Sequence, residues 1–163
     1  SKGCVISGKG KITTEFFTHL AAYKERPDIR SVCHAHPPYG VACTLVEISL
    51  VEPILPEVVM SLGGIPTVRY ATPASMEGNI VIRETIRECD ALLISRHGAI
   101  TVGTDPFDAY YRLEKLEHAA FIIFETYKVC KIKPLDPEEV AKLYKAHLTY
   151  GGKGKLYKVP AKI

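Results

Sequence analysis

The chain has 163 residues, 47% hydrophobic and 24% charged, and this balance excludes a disordered tail, a collagen and a coiled-coil rod. Its length predicts one domain over 1–163, large enough to bury a core. The net charge of +3 is too small to indicate a nucleic-acid partner.

Neither a membrane span nor a disulfide framework is indicated. No apolar run approaches the roughly 18 residues of a spanning helix, and the first residues lack the apolar core of a signal peptide. The cysteines are odd in number and widely spaced, without a CxxC pair, which predicts buried or neutral thiols in a reducing compartment. The five are Cys4, Cys33, Cys43, Cys89 and Cys130. We therefore expect a cytoplasmic protein with no membrane partner.

Hydrophobic spacing and helix-capping residues predict a mixture of helices and strands. Thr13 or Thr14 would cap a first helix, because threonine oxygens accept hydrogen bonds from free helical N–H groups. Asp105 and Asp136, each followed by proline, would start the last two helices. In chain order the predicted elements are a helix from 13–14 to 24, a strand over 29–36, a short helix over 40–46, helical turns within 53–64, a strand over 67–71, a helix over 76–89, strands over 91–98 and 99–103, and helices over 106–130 and 136–148.

The second half of the chain gives the clearest patterns. The strands 91–98 and 99–103 follow one another directly, which predicts an antiparallel hairpin. The helix over 106–130 has an apolar stripe at three- and four-residue steps, facing either the core or a partner chain. The stripe consists of Leu113, Leu116, Ala120, Ile123 and Tyr127. Together the elements predict an α/β or α+β sandwich.

Three histidines form a candidate metal site. His34 and His36 lie two residues apart in a predicted strand, so their side chains leave the same face. His97 ends a buried strand and precedes Gly98, a position at the rim of a sheet. Three imidazoles with an open fourth position are typical of catalytic zinc, although other late divalent transition metals also accept imidazole.

The other three histidines, His19, His118 and His147, lie in predicted helices. We expect them to be surface or packing residues and not metal ligands.

Three stretches, in this order, resemble the class II aldolase/adducin-head family, which includes fuculose-1-phosphate aldolase and ribulose-5-phosphate 4-epimerase. They are TTEFFTHLAAYKERPD, VCHAHPPYGVA and SRHGAITVGTDPFDAYYRLEKLEHAA, and the resemblance covers about residues 5–130. It implies an α/β fold with a mostly antiparallel central sheet covered by helices on both sides, a three-layer sandwich. It also implies a homotetramer with the metal near subunit interfaces. We expect the chain to lack the family's usual N-terminal segment, which carries two glycine-containing phosphate loops.

The resemblance implies a role for each metal-site residue. His34, His36 and His97 correspond to the family's zinc ligands. Glu15 corresponds to a glutamate that serves as a fourth ligand or as a general base.

Further site residues follow from the same resemblance. Thr13 and Thr14 would bind the substrate phosphate; a helix N-terminus attracts anions in any case, and simple helix capping explains the same residues. Glu57 corresponds to an acid/base residue of the epimerase and dehydratase relatives, but a solvated glutamate at a helix start explains it equally well. A proton-donating tyrosine near the C-terminus would be Tyr150 or Tyr157.

The implied activity is metal-dependent cleavage of a ketose 1-phosphate into dihydroxyacetone phosphate and an aldehyde. The metal would stabilise the negative charge of the enediolate that forms as the bond breaks. Two alternatives use the same metal site: a pentulose-phosphate 4-epimerase and a thio-sugar-phosphate dehydratase. A third alternative is a non-catalytic module like the adducin head, which predicts loss of the metal ligands.

Overall fold

The computed structural model describes Val5 and residues 7–158. It contains six helices and four strands within these residues. In chain order they are α1 (Phe16–Glu25), β1 (Ser31–Ala35), α2 (Pro38–Leu45), α3 (Pro56–Ser61), β2 (Thr67–Val68), α4 (Met76–Glu88), β3 (Ala91–Ile94), β4 (Gly98–Gly103), α5 (Pro106–Tyr127) and α6 (Pro137–Thr149).

The four strands form one sheet in the order β1-β4-β3-β2. β4 pairs antiparallel with both β1 and β3, and β2 pairs parallel with β3. The predicted hairpin between β3 and β4 is therefore confirmed, as is the mostly antiparallel sheet.

Helices cover both faces of the sheet. The four residues of β3 alternate between the faces: Leu92 and Ile94 pack in a cluster with α1 and α4, whereas Ala91 and Leu93 pack in a second cluster with α2, α3 and α5. All four are at most 1% exposed. The sheet with a helical layer on each side is the predicted three-layer arrangement.

Capping side chains start α5 and α6 as predicted, and a cap that was not predicted starts α4. The carboxylate of Asp105 accepts hydrogen bonds from the first free N–H groups of α5, and Asp136 and Glu139 form a capping box at α6. Ser75 accepts a hydrogen bond from the Glu77 N–H at the start of α4. These contacts satisfy helical N–H groups that have no partner within the helix.

The predicted start of α1 is wrong by two or three residues. The Thr13 hydroxyl accepts a hydrogen bond from the Glu15 N–H (3.2 Å) and so closes a turn before the helix. Glu15 takes the N-cap position instead, without a side-chain cap. Elsewhere the predicted elements are present but some are shorter: the strand over 67–71 has only two residues, and α5 ends at Tyr127.

The four described cysteines are free. Cys43 and Cys89 are buried, and burial raises the pKa of their thiols to about 11 and about 12. Burial also raises the pKa of Cys33. Cys130 is exposed, and Cys4 lies outside the described residues.

A buried carboxylate joins three parts of the chain. Asp90, which is fully buried, accepts hydrogen bonds from Arg26 (2.7 Å) and the Lys155 N–H (2.8 Å), and it forms an ion pair with Arg112 (2.9 Å). These partners follow α1, lie in α5 and belong to the segment after α6. Two arginines provide the charge compensation that a buried carboxylate requires.

No helix among the described residues combines the length and the apolar composition that a bilayer crossing requires.

Candidate metal centre

Strand pairing brings the three predicted histidines together. His34 lies in β1, His36 follows the end of β1, and His97 lies in the turn between β3 and β4. Their ring centroids form a nearly equilateral triangle with sides of 5.0, 5.1 and 5.2 Å. One nitrogen from each ring lies within 4.8 Å of the others.

The backbone where β4 begins leaves no space for a side chain at Gly98. A Cβ there would lie 2.4 Å from the Ala35 carbonyl oxygen and 2.8 Å from the His36 ring. Arg96, two residues earlier, has a φ of 59°, a left-handed conformation that closes the tight turn. The backbone at Gly98 therefore passes directly beside the end of β1, and this approach places His97 next to His36.

His34 has one ring nitrogen occupied and one available. Its Nδ1 lies 2.9 Å from the Ala99 carbonyl oxygen, which can only accept, so Nδ1 carries the proton. Nε2 is then a lone-pair acceptor, and it is buried without a hydrogen-bond partner. A buried acceptor without a partner is rare in proteins, whereas a backbone carbonyl behind a histidine is the usual support of a metal ligand. These residues fit a metal ion.

The protonation state of the histidines suits the same role. Burial lowers the pKa of His34 and of His97 below the ordinary value of 6.5, and the nearby Glu15 carboxylate partly opposes this effect. Near pH 7 both rings are therefore neutral, and the neutral imidazole is the form that binds a metal.

Glu15 lies close enough to act electrostatically on these histidines but outside the group of converging ligand atoms. One of its carboxylate oxygens accepts a hydrogen bond from the Ala74 N–H (2.9 Å), and the other from the Thr18 hydroxyl (3.4 Å). This arrangement holds the carboxylate beside the centre. Thr13 and Thr14 are exposed at the turn just before it.

A cleft of about 850 Å³ opens beside the centre. His36 and Glu57 both line it, so the structure brings this predicted acid/base residue to the same cleft as a candidate metal ligand. The remaining wall is mainly apolar and includes the aromatic residues Tyr39, Tyr110, Tyr111 and Phe121.

The two predicted tyrosines differ in their surroundings. Tyr157 is partly buried and packs against the cluster formed by α1, α4 and the sheet, and its backbone pairs with Leu62 and Gly64. Tyr150, at the end of α6, is 82% exposed. Neither is among the residues of the cleft beside His36.

The other three histidines are outside the converging group. His147 is buried, and its Nδ1 lies 2.6 Å from the Met60 carbonyl oxygen. His118 is exposed on α5 and lines the cleft. His19 lies edge-on to His34, with ring centroids 6.4 Å apart.

Two contacts at the centre were not predicted from sequence. The Ala74 N–H binds Glu15 across 59 residues, and the Glu117 carboxylate binds the first turn of α2. Both pairs are distant in sequence, and neither alanine nor a helical glutamate is a distinctive signal. The turn residues around Ala74 are the only local sequence feature that points to either contact.

Comparison with known proteins identifies relatives of this chain. Residues 1–124 match the model of the class II aldolase and adducin N-terminal domain. A 3-oxo-tetronate 4-phosphate decarboxylase of Haemophilus influenzae is 30% identical over 85% of this chain and 67% of its own length. An L-fuculose phosphate aldolase of Methanococcus maripaludis is 33% identical over 69% of this chain and 61% of its own length.

A solved structure shares the fold. YgbL of Escherichia coli, described as a candidate aldolase, epimerase or decarboxylase, superposes with a TM-score of 0.76 at 27% identity. The match covers 85% of this chain and 68% of YgbL. Matches to the relatives thus span about two thirds of their length. The chain belongs to the class II aldolase and adducin N-terminal domain family.

Proposed function

We propose that this chain is a metal-dependent carbon–carbon lyase acting on a phosphorylated sugar or sugar acid. The observation that carries this proposal is the buried Nε2 of His34, which has no hydrogen-bond partner and faces a triangle completed by His36 and His97. Membership of the class II aldolase family supports the same reaction class.

His34, His36 and His97 would hold a divalent cation, with zinc the first candidate because three neutral imidazoles are a common catalytic zinc set. When bound, the cation would act as a Lewis acid and stabilise negative charge that develops on the substrate oxygens. The Ala99 carbonyl oxygen fixes the His34 ring so that Nε2 faces inward.

Glu15 would move the proton at the reacting carbon. Its oxygens are held by the Ala74 N–H and the Thr18 hydroxyl, which keeps a carboxylate beside the histidines. Thr13 and Thr14 precede it at an exposed turn and would contact the substrate phosphate. Glu57, across the cleft that His36 lines, would be a second acid or base. An acid and a base that approach the metal centre from different elements suit a reaction that protonates one fragment and deprotonates the other.

The first test is the metal content of protein purified without a chelator or a histidine tag. We expect about one divalent metal per chain, and loss of that metal in a His36→Ala variant. His118→Ala is the matched control, because His118 lines the same cleft outside the converging group. A wild-type chain that folds but takes up no zinc would overturn the metalloenzyme proposal and favour a non-catalytic module like the adducin head.

Two lyase reactions fit the family. We favour cleavage of a ketose 1-phosphate, such as fuculose 1-phosphate, into dihydroxyacetone phosphate and an aldehyde. Decarboxylation of a 3-oxo sugar acid phosphate is the second candidate, because the Haemophilus influenzae relative bears that name. Both reactions leave an electron pair on a carbon next to a carbonyl group, so both need the same stabilisation of charge.

Product analysis separates the remaining activities. The metal-loaded protein is incubated with fuculose 1-phosphate and, separately, with a 3-oxo-tetronate 4-phosphate. Aldehyde with triose phosphate identifies the aldolase, and carbon dioxide identifies the decarboxylase. A pentulose-phosphate 4-epimerase or a thio-sugar-phosphate dehydratase would give products with an intact carbon skeleton from its own substrate.

A further inference from the structure

The helix that follows His36 begins without a cap of its own. α2 has Pro37 at its N-cap and Pro38 at its first position. Proline has neither an N–H group to donate nor a side chain to accept. The first N–H groups of α2 that need a partner are therefore those of Tyr39 and Gly40.

Glu117, from the middle of α5, supplies that partner. The Tyr39 N–H donates to Oε1 of Glu117 (2.9 Å), and the Gly40 N–H donates to Oε2 (2.8 Å). A carboxylate is a strong acceptor for backbone N–H groups, and negative charge is favourable at a helix N-terminus. One side chain thus binds both N–H groups across 77 and 78 residues of sequence.

The chain between His36 and these hydrogen bonds has little freedom. It consists of Pro37 and Pro38, whose rings fix their φ angles. A Cβ on Gly40 would lie 3.1 Å from the Pro37 ring, so this turn packs tightly. The Tyr39 ring also packs against Phe121 of α5, with centroids 4.8 Å apart.

His36 has the least burial of the three candidate ligands. It is exposed, whereas His34 and His97 are half-buried. His34 is in addition fixed by the Ala99 carbonyl oxygen. The position of His36 therefore depends more on the backbone that continues from it.

We propose that Glu117 is a positioning residue for His36: it holds the first turn of α2 against α5, and through two prolines it fixes the third metal ligand. This inference rests on the proposed metal centre. Glu117 itself is outside the group of converging ligand atoms.

The test is zinc affinity, measured by competition with a chromophoric chelator, in wild type, Glu117→Gln and Glu117→Ala. We expect Glu117→Ala to weaken zinc binding about tenfold or more, the usual range for a residue that supports a ligand. Glu117→Gln should lose less zinc affinity, because its amide oxygen still accepts a hydrogen bond from one of the two N–H groups. Far-UV circular dichroism checks that each variant is folded. If Glu117→Ala does not fold, the zinc affinity of Glu117→Gln decides the test.

Two control variants separate positioning from general stability. Ile123→Val removes a buried methyl group from the same helix and should lower the unfolding temperature without changing zinc affinity. Glu114→Gln removes an exposed carboxylate one turn earlier on α5 and should also bind zinc normally.

The outcomes are distinct. Glu117 variants that unfold at lower temperature but bind zinc as tightly as wild type would overturn the positioning role and leave the metal centre intact. A wild-type protein that binds no zinc would overturn the proposed function and this inference together.

Discussion

The Nδ1 atom of His34 and the carbonyl oxygen of Ala99 lie 2.9 Å apart, although 65 residues separate them in sequence. This contact sets the protonated nitrogen of the ring and leaves Nε2, buried without a hydrogen-bond partner, as the nitrogen available to a metal beside His36 and His97. The backbone of β4 therefore supports a side chain of β1 from behind, as in many metal proteins.

The metal-free protein should lose stability as the pH falls below about 6.5. Burial lowers the pKa of His34 and His97 in the folded chain, whereas the same groups bind protons near pH 6.5 when unfolded. The unfolded state therefore binds more protons in this range, and the free energy of unfolding decreases with falling pH. Thermal unfolding in a chelator between pH 7.5 and 5.5 measures the slope.

A His34→Asn variant is the control for this dependence, because its amide can still donate to the Ala99 carbonyl. Its unfolding temperature should change less with pH than that of wild type. A wild-type unfolding temperature that is flat or rises on acidification contradicts the prediction.

Glu57→Gln should reduce turnover without changing metal content. If Glu57 is an acid or base in the cleft lined by His36, its loss should lower kcat about 10²- to 10⁴-fold. Glu138→Gln, which changes an exposed glutamate in the first turn of α6, is the matched control and should leave kcat unchanged. Turnover within twofold of wild type would identify Glu57 as an ordinary solvated helix-start residue.

Replacing Ala74 with a smaller residue should raise the free energy of unfolding, whereas replacing it with a larger residue should lower it. Ala74 has a φ of 60°, which costs an L-residue about 1–2 kcal/mol. Ala74→Gly relieves this strain but gives the unfolded chain more freedom, so we expect the free energy of unfolding to rise by up to about 1 kcal/mol. Ala74→Val should lower it, since a β-branched residue is disfavoured there.

Urea unfolding measures both Ala74 variants. Ala74→Gly should contain as much metal as wild type, because the backbone N–H that donates to Glu15 is unchanged. A loss of more than about 1 kcal/mol in Ala74→Gly would show that the left-handed conformation is not a source of strain.

Self-association is predicted for this chain, as a homotetramer. α5 exposes several aromatic side chains, among them Phe107 (69% exposed) and Tyr111 (60%), whose rings lie 6.4 Å apart, and contiguous exposed apolar groups are typical of protein–protein contact sites. Light scattering during size exclusion should give four chains, and Tyr111→Glu should give fewer. Tyr23→Glu, at an exposed tyrosine of α1, should not change the mass. A wild-type monomer at micromolar concentration contradicts the prediction.

Residues whose role is local were predicted well. Three features depend only on neighbours within a few positions, so local sequence patterns predict them: the capping aspartates of α5 and α6, the hairpin, and the alternating side chains of β1. The convergence of His97 with His34 and His36 was expected because a strand end and a turn were both recognisable.

Long-range contacts were not predictable in the same way. The start of α1 was misplaced because Thr13 uses its hydroxyl in a preceding turn. The contacts of Glu15 with Ala74 and of Glu117 with α2 join elements that only tertiary packing brings together. The roles of the site residues stay predictions until the variants are measured.

The pairing of β1 with β4 also has a kinetic consequence. The β3–β4 hairpin joins neighbouring residues, whereas β1 must close a loop of about 65 residues before His34 meets Ala99, and long-range pairing of this kind is slow. During refolding, zinc uptake should therefore follow the docking of β1. In a stopped-flow refolding experiment, the signal of a zinc-sensitive dye would therefore give the rate at which β1, the last strand to join, docks on the sheet.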